Sequence, residues 1–137
     1  DHRRLPGVMT SVLMDSHVLL WALDGADRLG PQTRRLLLDP TTTAYVSAAT
    51  TWELQVKRLL GKLACPVDLE QRIVDAGFSE LAIRCRHTQA LEAIALPHRD
   101  PFDRMLLAQA QPEGLAFLTA DRILLDTALG FVRDAGR

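Results

Sequence analysis

Short apolar runs alternate with segments of helical spacing along almost the whole chain, and this alternation restricts the fold more than any other feature. The sequence predicts strands at residues 12–14, 44–47, 81–83, 115–118 and 131–132. Between them it predicts helices at 17–23, 48–60, 67–76, 88–96, 102–111 and 122–128, and one that begins at Pro31. Because adjacent parallel strands need a crossover between them, the pattern predicts an α/β fold with a mainly parallel central sheet covered on both faces.

Length and composition favour one globular domain. The chain has 137 residues, of which 47% are hydrophobic and 24% charged, enough apolar material for a single core. We expect a flexible extension at residues 1–10 and one domain at 11–137. The net charge of −1 excludes a generally basic nucleic-acid binder. Two widely separated cysteines and no long apolar run predict a cytoplasmic protein without a disulfide framework or membrane span.

Four acidic residues fall where a ligand site is expected in an open α/β sheet. Asp15 and Asp121 each follow a predicted strand, whereas Glu53 and Asp103 lie in the first turns of predicted helices. Ligands of such sheets bind beyond the carboxyl ends of the strands, and these helix starts point to the same edge. We therefore expect the four carboxylates to converge.

Helix capping is the competing explanation for each acid taken alone. Glu53 fits a capping box that begins at Thr50, and Asp15 and Asp121 suit a turn and a helix cap. Asp100 precedes a proline and suits an N-cap, which leaves Asp103 one turn inside the helix as the candidate for the cavity.

Electrostatics favours a bound cation if the four acids do converge. Two carboxylates about 5 Å apart repel by about 3 kcal/mol at an effective dielectric near 20, and several such pairs would rival the stability of a domain. A cluster of this kind must protonate, spread apart or hold a cation. Oxygen ligands select a hard ion, so Mg²⁺ is expected, with Mn²⁺ as the alternative.

Four blocks of sequence resemble one known family. They are LMDSHVLLWAL at 13–23, VSAATTWE at 46–53 with Lys57, LPHRDPFDR at 96–104 with LAQA at 107–110, and LTAD at 118–121. In this order and spacing they are similar to the PIN domain of the VapC toxins, over nearly the whole chain. The resemblance implies an α/β/α sandwich that acts as a Mg²⁺-dependent endoribonuclease on RNA.

The resemblance also assigns roles to residues. It implies that the catalytic and metal-binding acids are Asp15, Glu53, Asp103 and Asp121, and that Ser16 and Thr119 support them. It further implies a VapB-type antitoxin as partner and a homodimer. A partner's amphipathic helix with an arginine would suit an aliphatic groove beside an acidic pocket.

The remaining candidates have weaker signals. Lys57 could form an i,i+4 ion pair with Glu53 or contact a phosphate. Arg104 could contact RNA, contact a protein partner or lie on a solvated helix face. His17 and His98 lack metal-ligand spacing. On the 48–60 helix, Trp52 shares one face with Val56, Leu59 and Leu60, and we predict that Trp21 and Trp52 belong to the core rather than to base-stacking platforms.

Two functions from other classes remain open. A phosphoreceiver-like Mg²⁺-binding module shares the small doubly wound sheet, but it needs a lysine after a late strand, and no lysine follows Lys62. A non-catalytic interaction module would use its acids only as helix caps. The chain contains no glycine-rich phosphate loop and no Ser, His or Cys nucleophile motif.

Overall fold

The computed structural model describes residues 10–62, 65–94 and 100–137. Its strands are β1 (Thr10–Met14), β2 (Thr42–Ser47), β3 (Ser79–Leu81), β4 (Ala116–Thr119) and β5 (Val132–Asp134). They form one sheet in the order β3-β2-β1-β4-β5, in which every neighbouring pair is parallel. The prediction of an α/β fold with a parallel sheet is confirmed.

Helices cover both faces of this sheet. They are α1 (Ser16–Leu23), α2 (Pro31–Leu38), α3 (Ala48–Leu59), α4 (Leu69–Asp75), α5 (Cys85–Ala90), α6 (Pro101–Glu113) and α7 (Arg122–Leu125). Pro31 begins α2 as predicted, because proline suits the first helical position. Gly61 follows α3 with a φ of 69°, which glycine adopts without a steric penalty. No helix in the described ranges is both long and apolar enough to cross a bilayer.

Strand β1 is the centre of the molecule and separates two apolar layers. Val12 and Met14 point into one layer, where they join Val18 and Leu19 of α1. Leu13, between them in sequence, points into the other layer with Leu106 of α6. All six residues are 1% exposed or less. Because successive side chains point to opposite faces that are both covered, the buried part of β1, residues 12–14, is entirely apolar.

The order of the strands creates a crevice beside β1. The chain builds β1, β2 and β3 outward on one side and then returns to place β4 against the other side of β1. Ligands of open α/β sheets bind at such a change of direction, beyond the carboxyl ends of the strands. Here Asp15 follows β1, and Asp121 follows β4 after one intervening residue.

Several boundaries differ from the sequence predictions. Strand β3 lies two residues earlier than predicted, because its register pairs Leu81 with Ser47, the last residue of β2. Helix α5 begins at Cys85 rather than at 88. Helix α7 ends at Leu125 rather than at 128, where Thr127 Oγ1 donates a 2.7 Å hydrogen bond to the Leu124 carbonyl.

Some predictions fall on residues outside the described ranges. These include residues 1–9 of the expected extension, the end of the helix predicted to reach 96, and His98 in the segment before Asp100. Thr10, which was assigned to the extension, is instead the first residue of β1 and hydrogen-bonds through its N–H to the Thr41 carbonyl.

Candidate active site

Asp15 is held at the end of β1 by hydrogen bonds from several directions. Its backbone N–H donates to the Leu118 carbonyl of β4 at 2.9 Å. Its Oδ1 accepts from the Ser16 hydroxyl at 3.1 Å and from the His17 N–H at 3.4 Å, so it also caps α1. The side chain is 5% exposed. Ser16 therefore stands where the resemblance placed a supporting hydroxyl.

Thr119 connects the first and the last of the predicted acids. Its buried hydroxyl donates a 2.5 Å hydrogen bond to Asp15 Oδ2 and accepts one of 3.0 Å from the Asp121 N–H. Asp121 in turn caps α7, since its Oδ1 accepts from the Ile123 N–H at 2.9 Å. One hydroxyl thus fixes the spacing between Asp15 and the backbone that carries Asp121.

Glu53 is a buried carboxylate with one paired and one unpaired oxygen. Oε2 accepts a hydrogen bond from Lys57 Nζ at 2.7 Å, whereas Oε1 is buried and has no hydrogen-bond partner among residues 10–62, 65–94 and 100–137. Such an oxygen costs free energy unless a donor or a cation satisfies it. The capping-box interpretation of Glu53 is wrong, because Ser47 caps α3 and Glu53 lies well inside the helix.

Lys57 carries the positive charge of the site. Its pKa is raised above the ordinary value of 10.5, mainly by the hydrogen bond to Glu53, and further by the charges of Glu53, Asp100 and Asp103, while burial opposes the shift. The ammonium group is therefore charged at neutral pH. The influence of Asp100 and Asp103 also shows that the acids of α6 lie near this lysine on α3.

Asp100 and Asp103 have different positions at the start of α6. Asp100 is the N-cap, and its Oδ1 accepts from the N–H groups of Phe102 at 2.9 Å and Asp103 at 3.4 Å. Asp103 is 8% exposed and lies one turn inside the helix. Asp100 therefore has the N-cap role predicted for it, but it lines the same cavity as Asp103, so the structure does not separate the two acids as the sequence predicted.

The four predicted acids line one cavity of about 370 Å³. Asp100, Lys57, Ser16, His17 and Trp21 line it as well. Among the described residues that line it, five carboxylates face one lysine, which makes this lining strongly negative although the whole chain has a net charge of only −1. Carboxylates that share a cavity repel one another at low dielectric, so the cavity favours a cation.

The donor set suits a hard cation that retains much of its water. Within the described ranges, no three His, Cys, Asp or Glu side chains are close enough together to hold a metal ion. Mg²⁺ does not require such a cage, because it usually binds one or two carboxylates and keeps several waters. The buried Glu53 Oε1 and the carboxylate oxygens that line the cavity fit this mode of binding.

One predicted candidate, Arg104, lies away from the cavity, and one buried polar pair near the site was not predicted from the sequence. Arg104 donates to the carbonyls of Leu91 and Ile94, at 3.4 and 3.3 Å, and does not line the cavity. A buried pair, Ser47 and Gln109, joins the N-cap of α3 to α6 by a 2.5 Å hydrogen bond. Gln109, a polar residue among buried leucines and alanines, was the available signal for this connection.

The prediction that Trp52 belongs to the core is wrong. Trp52 is 62% exposed, and Leu59 and Leu60, which were predicted to share its face, are also exposed, at 75% and 61%. Helix α3 instead buries Ala49, Thr50, Glu53 and Leu54. Trp21 does pack partly against the core and also contributes to the cavity wall.

Comparisons with known proteins are consistent with this architecture. The family model of the PIN domain matches residues 12–129. A comparison with curated protein sequences finds no match. Among solved structures, the DNA-bound VapBC from Salmonella typhimurium is similar with a TM-score of 0.61 and 14% identity, and covers 92% of this chain and 98% of that one.

Two further solved structures are similar. VapBC2 from Rickettsia felis, bound to a DNA fragment from its promoter, has a TM-score of 0.58 and 10% identity, with 91% of this chain and 98% of that chain covered. A toxin–antitoxin complex from Klebsiella pneumoniae has a TM-score of 0.56 and 18% identity, with 89% and 95% covered. At these identities the likeness concerns the fold.

Proposed function

Because the chain belongs to the PIN domain family, we propose that it is a Mg²⁺-dependent endoribonuclease and the toxin of a toxin–antitoxin pair. PIN domains are generally nucleases and typically use divalent metal ions. The observation that carries the proposal for this chain is the placement of Asp15, Glu53, Asp103 and Asp121 around one cavity at the change of direction of the sheet.

The acids would hold the cation through their oxygens, directly or through its water molecules. Mg²⁺, or Mn²⁺ in its place, supplies a Lewis acid that polarises a phosphate and lowers the pKa of a bound water. Glu53 Oε1 and the carboxylates of Asp15, Asp103 and Asp121 are the proposed ligands. A water-derived nucleophile agrees with the absence of a serine or cysteine nucleophile motif.

The side chains of this site have separate roles in the proposed reaction. Thr119 and Ser16 orient Asp15 by donating to its two different oxygens, at 2.5 and 3.1 Å. Lys57 holds Glu53 Oε2 and leaves Oε1 as an acceptor. Because Lys57 is charged and partly exposed, it is also suited to contact a phosphate of the substrate.

An antitoxin of the VapB type is the proposed protein partner. The similar solved structures are toxin–antitoxin complexes, two of them bound to DNA. On this chain Leu59 and Leu60 present exposed aliphatic surface at the end of α3, the helix that carries Glu53. Such a surface suits an amphipathic helix, and an arginine beside it would pair with the cavity acids. We also propose a homodimer and a cytoplasmic location.

The test is cleavage of RNA by the purified chain with Mg²⁺, with Mn²⁺ and with a chelator. Asp15→Asn and Asp103→Asn should each reduce cleavage at least 100-fold, because they remove charge from the proposed cation site. Asp75→Asn is a matched control, since Asp75 is exposed on α4, accepts a 2.8 Å hydrogen bond from Gln71 and does not line the cavity. Cleavage that persists in both site variants, or in chelator, would reject the proposal in favour of a non-catalytic module.

A further inference from the structure

Two aromatic rings pack against each other on neighbouring helices. Trp52 of α3 and Phe102 of α6 have ring centroids 5.0 Å apart and planes at 69°, an edge-to-face arrangement. Such contacts are favourable because the positive edge of one ring meets the negative face of the other. Phe102 therefore restricts the orientation of the Trp52 side chain, although that side chain is 62% exposed.

This aromatic pair, Trp52 and Phe102, lies next to two acids of the cavity along the chain, although neither ring lines the cavity itself. Trp52 directly precedes Glu53, and Phe102 directly precedes Asp103. The Phe102 N–H also donates to Asp100, which lines the same cavity as Glu53 and Asp103. The aromatic pair therefore joins α3 and α6, the two helices that place Glu53 and Asp103 at the cavity.

The charge of the cavity limits how a nucleic acid can bind beside it. The acids repel phosphates, Lys57 is the one cation among the described residues that line the cavity, and the net charge of the chain is −1. Attraction between bases and aromatic rings does not depend on net charge, because every base has a π-face. An exposed tryptophan that is oriented by Phe102 and directly precedes a cavity acid is suited to supply that attraction.

We propose that Trp52, oriented by Phe102, stacks on an unpaired base of RNA next to the bond that is cut, an inference that rests on the proposed nuclease function. Base-paired RNA stacks its bases on one another within the helix, so the contact selects single-stranded segments or loops. The exposed aliphatic residues Leu59 and Leu60 lie further along α3 and offer no aromatic face. The stacking contact is thereby confined to the part of α3 around Trp52, one residue before Glu53.

Binding of uncleaved RNA tests the proposal. In an Asp15→Asn background, the affinity for a fluorescent short oligoadenylate is measured for Trp52, Trp52→Leu and Trp52→Tyr. Trp52→Leu should weaken binding roughly 5- to 150-fold, and Trp52→Tyr by no more than about 3-fold, because tyrosine retains an aromatic face. Val74→Ala is the control for the loss of exposed apolar surface, since Val74 is 61% exposed on α4, and it should bind as the background does.

Abasic strands separate base stacking from contacts with the backbone. One abasic position, moved along the oligoadenylate, should weaken binding to the Trp52 protein at one or two positions. At those positions the Trp52→Leu protein should show no further loss. Equal losses in both proteins would mean that the indole does not contact a base, and the proposal would be rejected. Trp52 is exposed, so circular dichroism should show the same fold for both.

The outcomes distinguish this inference from the proposed function. If the wild-type chain cleaves RNA and Trp52→Leu binds RNA unchanged, stacking is rejected and the nuclease stands. If Trp52→Leu instead loses only a protein partner, the indole belongs to that interface and stacking is likewise rejected. If base-dependent binding through Trp52 is found without any cleavage, the stacking contact stands and the nuclease proposal fails.

Discussion

The Thr119 hydroxyl occupies the point at which two of the acidic residues are connected. It donates to Asp15 Oδ2 and accepts from the Asp121 N–H, and it is fully buried. A hydrogen bond from a neutral donor to a carboxylate stabilises the charged form and restricts its orientation. The hydroxyl therefore contributes to the position of Asp15 as well as to the stability of the fold.

Thr119→Val should separate these two contributions. Valine retains the shape but leaves Asp15 Oδ2 and the Asp121 N–H without this partner, so we expect a stability loss of about 1–3 kcal/mol and a fall in RNA cleavage of at least 10-fold. Thr119→Ser should recover most of both. Urea unfolding and initial cleavage rates measure the effects.

Thr33→Val is the control for Thr119→Val. Thr33 is buried in α2, and its hydroxyl donates to the Arg137 carbonyl at 3.3 Å, away from the cavity. Its substitution should lower stability but leave the cleavage rate of the folded protein unchanged. An equal fall in cleavage for both valine variants would mean that Thr119 acts only through stability.

At the level of helices, the buried pair Ser47 and Gln109 joins the two that carry Glu53 and Asp103. Ser47 Oγ donates to Gln109 Oε1 and accepts from the Ala49 N–H, so the cap of α3 is attached to α6. Gln109 Nε2 donates to the Ala82 carbonyl at 3.3 Å, which adds the segment after β3. One amide thus connects three elements next to the site.

Substitution of both partners should reveal this connection. Ser47→Ala and Gln109→Leu each leave buried polar groups without partners, at a cost of about 1–3 kcal/mol. Because they remove the same hydrogen bond, the double variant should lose less than the sum, with a coupling of about 0.5–3 kcal/mol measured by urea unfolding. Losses that add within about 0.5 kcal/mol would contradict a direct connection.

A second connection, between α5 and the end of α6, should depend on pH. Glu113 accepts from buried His87 Nε2 at 2.8 Å and from Arg86, and these hydrogen bonds lower the pKa of its carboxyl below the ordinary value of 4.5. The stabilisation is therefore present above pH 4.5 and is lost as the pH falls through the lowered folded-state pKa.

Glu113→Gln should be less stable than the wild type at neutral pH and approach it in acid. Glutamine keeps an acceptor for His87 but removes the charge, so the difference in unfolding free energy should shrink as the pH drops below 4.5. Arg122→Gln, which breaks an exposed pair with Asp126 at 3.9 Å, is the control and should change stability by less than about 1 kcal/mol. A difference that stays constant with pH would contradict the assigned cause.

The order of the strands and helices could be predicted from the sequence, because short apolar runs and segments with helical spacing of apolar residues alternate along the chain. Their ends followed less well where a tertiary contact decides them, as at Leu81, whose strand ends where its pairing with Ser47 ends. Trp52 shows the same limit, since helical spacing defines an apolar face but not whether the chain itself covers it. The shared cavity of the acids was predictable only because parallel strands bring their carboxyl ends to one edge.

For the whole molecule, the acidic cavity sets negative charge against stability. Five carboxylates around about 370 Å³ repel one another, and Lys57 offsets only part of that charge. Removing the charge of one carboxylate should therefore raise the free energy of unfolding when no divalent ion is present, because it removes like-charge repulsion. Function and stability have opposite requirements at this cavity.

Thermal unfolding with and without Mg²⁺ should show this opposition. A ligand at 100 times its Kd stabilises the folded state by about 2.7 kcal/mol, which for a domain of this size raises Tm by roughly 5–15 °C. The wild-type chain should gain Tm with Mg²⁺, whereas Asp121→Asn should start from a higher Tm in chelator and gain little, because asparagine keeps the oxygen that caps α7 but not the charge. Asp75→Asn, on exposed α4, should behave as the wild type. Equal gains for the wild type and Asp121→Asn would place the cation elsewhere, because only a site that includes Asp121 makes its charge necessary for the gain.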